Sequence, residues 1–102
     1  MPVHELSRAA ENDLHDIVVY TSKTWGAAQT RQYTRGLREC AENLANGQGV
    51  YKELHDLYPR LRMCRCQHHY IFGVMREGSP MLVVAILHER MDTMTRLRNR
   101  LG

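Results

Sequence analysis

Met81 to Leu87 is apolar at all seven positions, and it is the longest such run in the chain. It is far too short to cross a bilayer, which takes about 20 apolar residues as a helix. A short unbroken apolar run reads instead as a strand covered on both faces. Such a strand constrains everything else. The remaining residues must extend a sheet on either side of it and supply helices to cover it.

The N-terminal half supplies the helices. Ser7 is a good N-cap, and Ala10, Leu14, Ile17, Val18, Thr21 and Trp25 follow at helical spacing. Glu11, Asp13 and Asp16 lie early in this helix, where the macrodipole favours acids, and Gly26 stops it. Tyr33, Leu37, Cys40, Ala41 and Leu44 form a second apolar stripe that ends at Asn46-Gly47. Two amphipathic helices joined so tightly predict an antiparallel hairpin. Gly36, inside the second, costs about 1 kcal/mol relative to Ala and is expected to let the first helix approach. Pro2 to Leu6 reads as a short strand. Gly47 to Pro59 reads as a connector in which Tyr51 to Leu54 make one turn.

After Pro59 the period changes. Leu61–Cys66, His69–Met75 and Met81–His88 read as three strands, the last two joined as a hairpin across Glu77-Gly78-Ser79-Pro80. Glu89–Leu101 reads as a last helix, with Met91, Met94, Leu97 and Leu101 along it. The predicted order is strand, helix, helix, three strands, helix. The fold class is α+β: a small antiparallel sheet, an N-terminal helical hairpin packed on one face and a short C-terminal helix. With 102 residues, 43% hydrophobic and 25% charged, the chain is expected to be one domain spanning 1–102.

Charge is uneven. Fourteen Lys and Arg against eleven Asp and Glu give +3, and twelve of the fourteen are Arg. Residues 1–51 carry net −1 and residues 52–102 net +4. An acidic macromolecular partner on the C-terminal half is one reading; a solvated surface is the other. Three cysteines, Cys40, Cys64 and Cys66, without an export signal argue against a disulfide framework and for a reducing cytoplasm.

Candidate sites divide by chemistry. Cys64, Cys66 and His68 alternate along one strand and its continuation, with His69 beside them. No second ligand pair follows, so zinc is not expected. No cofactor is implied, because no Gly-rich phosphate loop is present. No local motif joins a Ser or Cys nucleophile to a His and a carboxylate. Metal-free RNA cleavage needs an acid, a base and cations for the phosphate. His68, His69, Tyr70, His88, Arg62, Arg65 and Arg90 provide those types; the alternative is that they are half-buried sheet residues and rim charges. Tyr70 and Phe72 share a face, and Phe72 is expected in the core under the helical hairpin.

Leu6-Ser7, Ala10-Glu11, Asp13-Leu14, Tyr20-Thr21 and Trp25 to Gln29 together resemble the opening of ParE-type toxins. Leu61 to Met63, His68 to Phe72 and Val84 to Asp92 (VAILHERMD) resemble the remainder. The most specific parts are Tyr-x4-Trp-Gly and Leu-His-x-Arg-Met-Asp. The resemblance implies the ParE/RelE toxin fold, a toxin in a type II toxin–antitoxin pair, a ParD-type antitoxin partner and DNA gyrase as target. It implies a protein that poisons by binding and is not an enzyme. The alternative is a RelE-like ribosome-dependent mRNA endoribonuclease. His88 to Asp92 follows the ParE pattern and lacks the C-terminal catalytic tyrosine or histidine of the RelE type.

On this reading Trp25, Tyr33, Arg62, Arg65 and Tyr70 are candidate antitoxin contacts. Trp25 and Tyr33 suit a groove as anchors, and the arginines suit acidic partner residues. His88, Arg90, Met91, Asp92, Arg96, Arg98 and Arg100 are candidate target contacts; covering the sheet is the competing role for that segment. The low net charge and the missing helix-turn-helix argue against sequence-specific nucleic-acid binding by the chain itself. No membrane partner is expected.

Overall fold

The computed structural model describes residues 2–102. β1 (His4–Leu6) leads into α1 (Arg8–Trp25) and α2 (Ala27–Ala45), followed by β2 (Lys52–Glu53), β3 (Leu61–Cys66), β4 (His69–Arg76), β5 (Ser79–His88) and α3 (Thr93–Leu101). The predicted order is present, with one addition. Lys52-Glu53, read as part of a turn, is a two-residue strand antiparallel to β3. The sheet runs β1-β5-β4-β3-β2.

The sheet is mixed rather than wholly antiparallel. β1 pairs parallel with β5, His4 opposite Met81 and Leu6 opposite Val83. The cause is topological: the α1–α2 hairpin and β2 to β4 intervene, so β1 returns to the sheet beside a strand some 75 residues away rather than through a tight turn. The apolar run is the strand buried on both faces. Met81, Val83 and Ile86 belong to a core under the hairpin with Ala10, Ile17, Leu37 and Leu44. Ala85 and Leu87 belong to a second core with Leu61, Phe72 and Leu97. The β4–β5 register shifts at two places, between Phe72 and Gly73 and between Val74 and Arg76. At the first, Phe72 faces Ala85 and Gly73 faces Val83, so Val84 bulges out of the ladder.

The second core corrects one expectation. Phe72 is fully buried, but on the sheet face opposite the helical hairpin, where Leu97 of α3 covers it. The C-terminal helix is therefore a structural layer. Asp92 caps it, its carboxylate accepting the Thr95 N–H and hydroxyl.

Gly36 also differs from expectation. A Cβ there would meet the Gln67 side chain of the β3–β4 turn, not α1. Gln67 Nε2 in turn donates to the Tyr33 carbonyl at 3.0 Å, tying that turn to α2. Gly73 is required more strictly, since a Cβ there would run into the Met81 sulfur.

The cysteines overturn the expectation of three free thiols. Cys40 of α2 and Cys66 of β3 form a disulfide across 26 residues of sequence. Parity of count was uninformative because the third, Cys64, is buried in the hairpin core as a free thiol, and burial pushes its pKa up to about 11. His68 does not join the two sulfurs: it sits exposed in the turn. Among the described residues no group of His, Cys, Asp and Glu is placed to hold a metal ion, and no helix is long and apolar enough to cross a membrane.

Candidate functional site: a cleft between α1, the β5 end and α3

A cleft of about 870 Å³ opens where α1, the end of β5 and the segment leading into α3 converge. The helical face Asp13, Ile17, Tyr20 and Trp25 forms one wall. Ile86, Leu87 and His88 form the floor, and Arg90, Met91, Arg96 and Arg100 the other wall. Trp25 is 62% exposed, Tyr20 67% and Met91 42%. Large apolar side chains left open around a concavity mark a binding surface. Trp25 stands out from the α1–α2 turn.

One end of the cleft is built from histidines. His69 and His88 are cross-strand partners with ring centroids 5.0 Å apart, edge to face. The Tyr33 hydroxyl lies 2.6 Å from His69 Nδ1 and accepts the His68 N–H at 3.2 Å. We assign the Tyr33 hydroxyl as the donor in this bond and His69 Nδ1 as its acceptor. Burial, reinforced by His88 and His68, lowers the His69 pKa to about 4, so the ring is neutral near pH 7. Burial raises the Tyr33 pKa in turn. Outside, His68 Nδ1 and Arg65 both bond the Glu89 carboxylate, at 2.9 and 2.5 Å, and the His68 hydrogen bond holds its pKa down.

The predicted site residues separate into three groups. Trp25, Tyr33, His88, Arg90, Met91, Arg96 and Arg100 line the cleft together, although the first two were expected on a different surface from the rest. Arg62, Arg65 and Tyr70 do not line it. Arg62 donates to the Leu44 carbonyl at the end of α2 and lies 4.9 Å over the Tyr51 ring. Arg65 pairs with Glu89, and Tyr70 packs half-buried on the α3 face. Asp92 is the α3 cap, and Arg98 lies in its last turn, outside the cleft.

Arg100 lines the cleft but has an internal partner. Its guanidinium grips the Asp13 carboxylate with two bonds, 2.8 and 3.1 Å, and donates to the Val84 carbonyl at 2.9 Å. The Asp13 bond raises its pKa further. Asp13 was legible only as an acid near a helix start. Ile17 and Tyr20 were missed as wall residues, although their four- and seven-residue spacing from Asp13 puts all three on one helical face.

Comparison with known proteins agrees with this architecture. The family described as "ParE toxin of type II toxin-antitoxin system, parDE" matches residues 5–93. A protein named Toxin ParE from Escherichia coli is 52% identical over 101 residues, covering 99% of this chain and 98% of that one. Toxin ParE1 of Caulobacter vibrioides is 31% identical over 97 residues, covering 95% and 99%. The solved "Chromosomal ParDE TA system from P. aeruginosa" superposes with a TM-score of 0.66 at 16% identity, over 86% of this chain and 96% of that one; it shows a shared fold. The chain belongs to the ParE family of type II toxins. It is the toxin side of a ParDE pair, and the RelE-type nuclease alternative is not favoured.

Proposed function

We propose that this toxin poisons DNA gyrase by binding, without catalysing a reaction, and that a ParD-type antitoxin neutralises it in the cytoplasm. The observation that carries the reading is the composition of the cleft. It exposes Tyr20, Trp25 and Met91 beside Arg90 and Arg96, a surface suited to macromolecular contact. Of the residues that a nuclease would need, His68, His69, His88 and Arg90 meet in the cleft, but Arg62, Arg65 and Tyr70 lie outside it. His69 is neutral and tied inward to Tyr33, Arg62 caps α2 and Tyr70 lies on the other sheet face.

Trp25 and Tyr33 remain the proposed antitoxin contacts, now with Tyr20. Arg62 and Arg65 are released from that role because each already has a partner. Arg90, Met91 and Arg96 are the proposed gyrase contacts. The test mixes purified toxin with gyrase, ATP and supercoiled plasmid, and in parallel with translating ribosomes. Protein-linked linear DNA with intact transcripts is expected. Site-specific transcript cleavage with gyrase unaffected would reverse the assignment.

A further inference from the structure

β5 is ten residues long, but β1 covers only Met81–Val83 of its outer edge. The Ser7 amide closes that pairing on the Val83 carbonyl at 2.9 Å. Side chains then take over. Ile86 N–H donates to Asp13 at 2.9 Å, and Val84 C=O accepts from Arg100. Beyond this pair the edge runs open into the cleft at Ile86–His88.

Strand alternation identifies the open groups. Tyr70 faces Leu87, Phe72 faces Ala85, and the Glu89 N–H donates to the His68 carbonyl at 2.8 Å. That parity turns the backbone groups of Ala85, Leu87 and Glu89 towards β4, and those of Ile86 and His88 outward. Of the four outward groups two are occupied: Ile86 N–H by Asp13, and His88 C=O by the Met91 amide at 3.0 Å. Ile86 C=O and His88 N–H are left, and among the described residues nothing else hydrogen-bonds them.

These two groups flank Leu87. In a parallel ladder, one residue of an added strand donates to the carbonyl before its opposite number and accepts from the amide after it. In an antiparallel ladder the same carbonyl and amide flank a non-hydrogen-bonded pair, so they would serve a strand with a residue opposite Leu87 there too. The vacancy therefore fits one residue of an added strand opposite Leu87, whichever way that strand runs.

We propose that Ile86–His88 is a docking slot for an extended segment of the antitoxin, which joins β5 as an added strand with one residue in register with Leu87. This rests on the antitoxin reading above. The segment continues the line of β1 on the far side of the Asp13–Arg100 pair. Its residues on either side of the registered one lie on the face of Ile86 and His88, so they enter the cleft beside Ile17, Tyr20 and Trp25 and are apolar. Arg90 and Arg96 make no ion pair among the described residues, and Asp16 is the one lining acid apart from Asp13, which Arg100 neutralises. The segment therefore carries acidic residues towards that wall.

The test uses the intact toxin, 15N-labelled, in complex with the 13C-labelled antitoxin encoded beside it. A scalar coupling across a hydrogen bond from the His88 amide to an antitoxin carbonyl is expected. His88 amide exchange should slow at least about tenfold on complex formation, while that of Ile86, already bonded, changes less. A stable complex without that coupling, or with His88 exchanging as in free toxin, overturns the slot and leaves the antitoxin reading standing. Protection that grows with the concentration of toxin alone would assign the edge to a second copy and overturn the proposal. No complex on size exclusion would overturn the antitoxin reading and the slot with it.

Discussion

Arg100 and Asp13 hold each other by two hydrogen bonds across 87 residues of sequence. The pair joins the C-terminal helix to the first helix around the open edge of β5, and each member also takes one backbone group of that edge. The Arg100 and Asp13 side chains are only 26% and 15% exposed, so this is not a surface ion pair of negligible worth.

Arg100→Ala is accordingly expected to cost about 2 kcal/mol, because it strands a shielded carboxylate and the Val84 carbonyl. Asp13→Asn should cost a similar amount. Their effects should not add: a double-mutant cycle in urea is expected to return a coupling of about 1 kcal/mol or more. Additive losses would mean that the two residues act independently.

Charge reversal separates structure from toxicity at the other arginines. Arg90→Glu with Arg96→Glu is expected to change stability by no more than about 0.5 kcal/mol, since neither makes an ion pair among the described residues. The same double variant should no longer arrest growth, and it should bind antitoxin more weakly, because the acidic residues of the docked segment would then face two glutamates. A stable variant that still kills cells would remove this segment from the target surface. Arg100 is unsuitable for this experiment, because losing it destabilises the fold.

His69 predicts a pH dependence. Its folded pKa of about 4 lies below the unfolded value near 6.5. Below pH 6.5 the unfolded chain binds a proton that the folded chain refuses, so this contribution is full above pH 6.5 and falls as pH drops towards 4. The slope contributed is at most about 1.4 kcal/mol per pH unit. His69→Gln should flatten the unfolding midpoint over that window. Tyr33→Phe, which leaves Nδ1 without its partner, should cost about 1 kcal/mol near neutral pH. An unchanged pH profile in the Gln variant would place the titration elsewhere.

The Cys40–Cys66 bond closes a loop long enough to contribute about 3 kcal/mol by constraining the unfolded chain. Reduction is expected to lower the denaturation midpoint accordingly. Thiol labelling of denatured protein should count one free thiol without reductant and three with it. Three reactive thiols in oxidised, denatured protein would refute the bridge.

What was legible in the residues follows from range. Helices α1 and α2 declared themselves through a 3.6-residue period, and the MLVVAIL run through the lack of any period, because both are properties of neighbouring residues. The cleft was half visible. Trp25, Tyr33 and the Arg90–Arg100 segment could each be picked by type, but not brought together, because nothing local shows that α1 and α3 converge at the end of β5. The same blindness covers β1 against β5, Cys40 against Cys66 and Arg100 against Asp13. Phe72 was correctly judged core and wrongly placed, since a strand's alternation sorts residues into two faces without saying which helix covers which.

The parallel seam between β1 and β5 also sets an order in time. A chain growing from its N-terminus makes His4–Leu6 first and must leave those edge groups unpaired until Met81–Val83 has been synthesised. Arg100 emerges later still, so Asp13 waits even longer for its cation. Contacts of such separation form slowly and late. The wall of the cleft that carries the arginines is therefore missing from the nascent protein. A toxin assembled this way lacks its arginine wall until synthesis is nearly complete, and an antitoxin already present has the whole of that interval in which to meet the first helix.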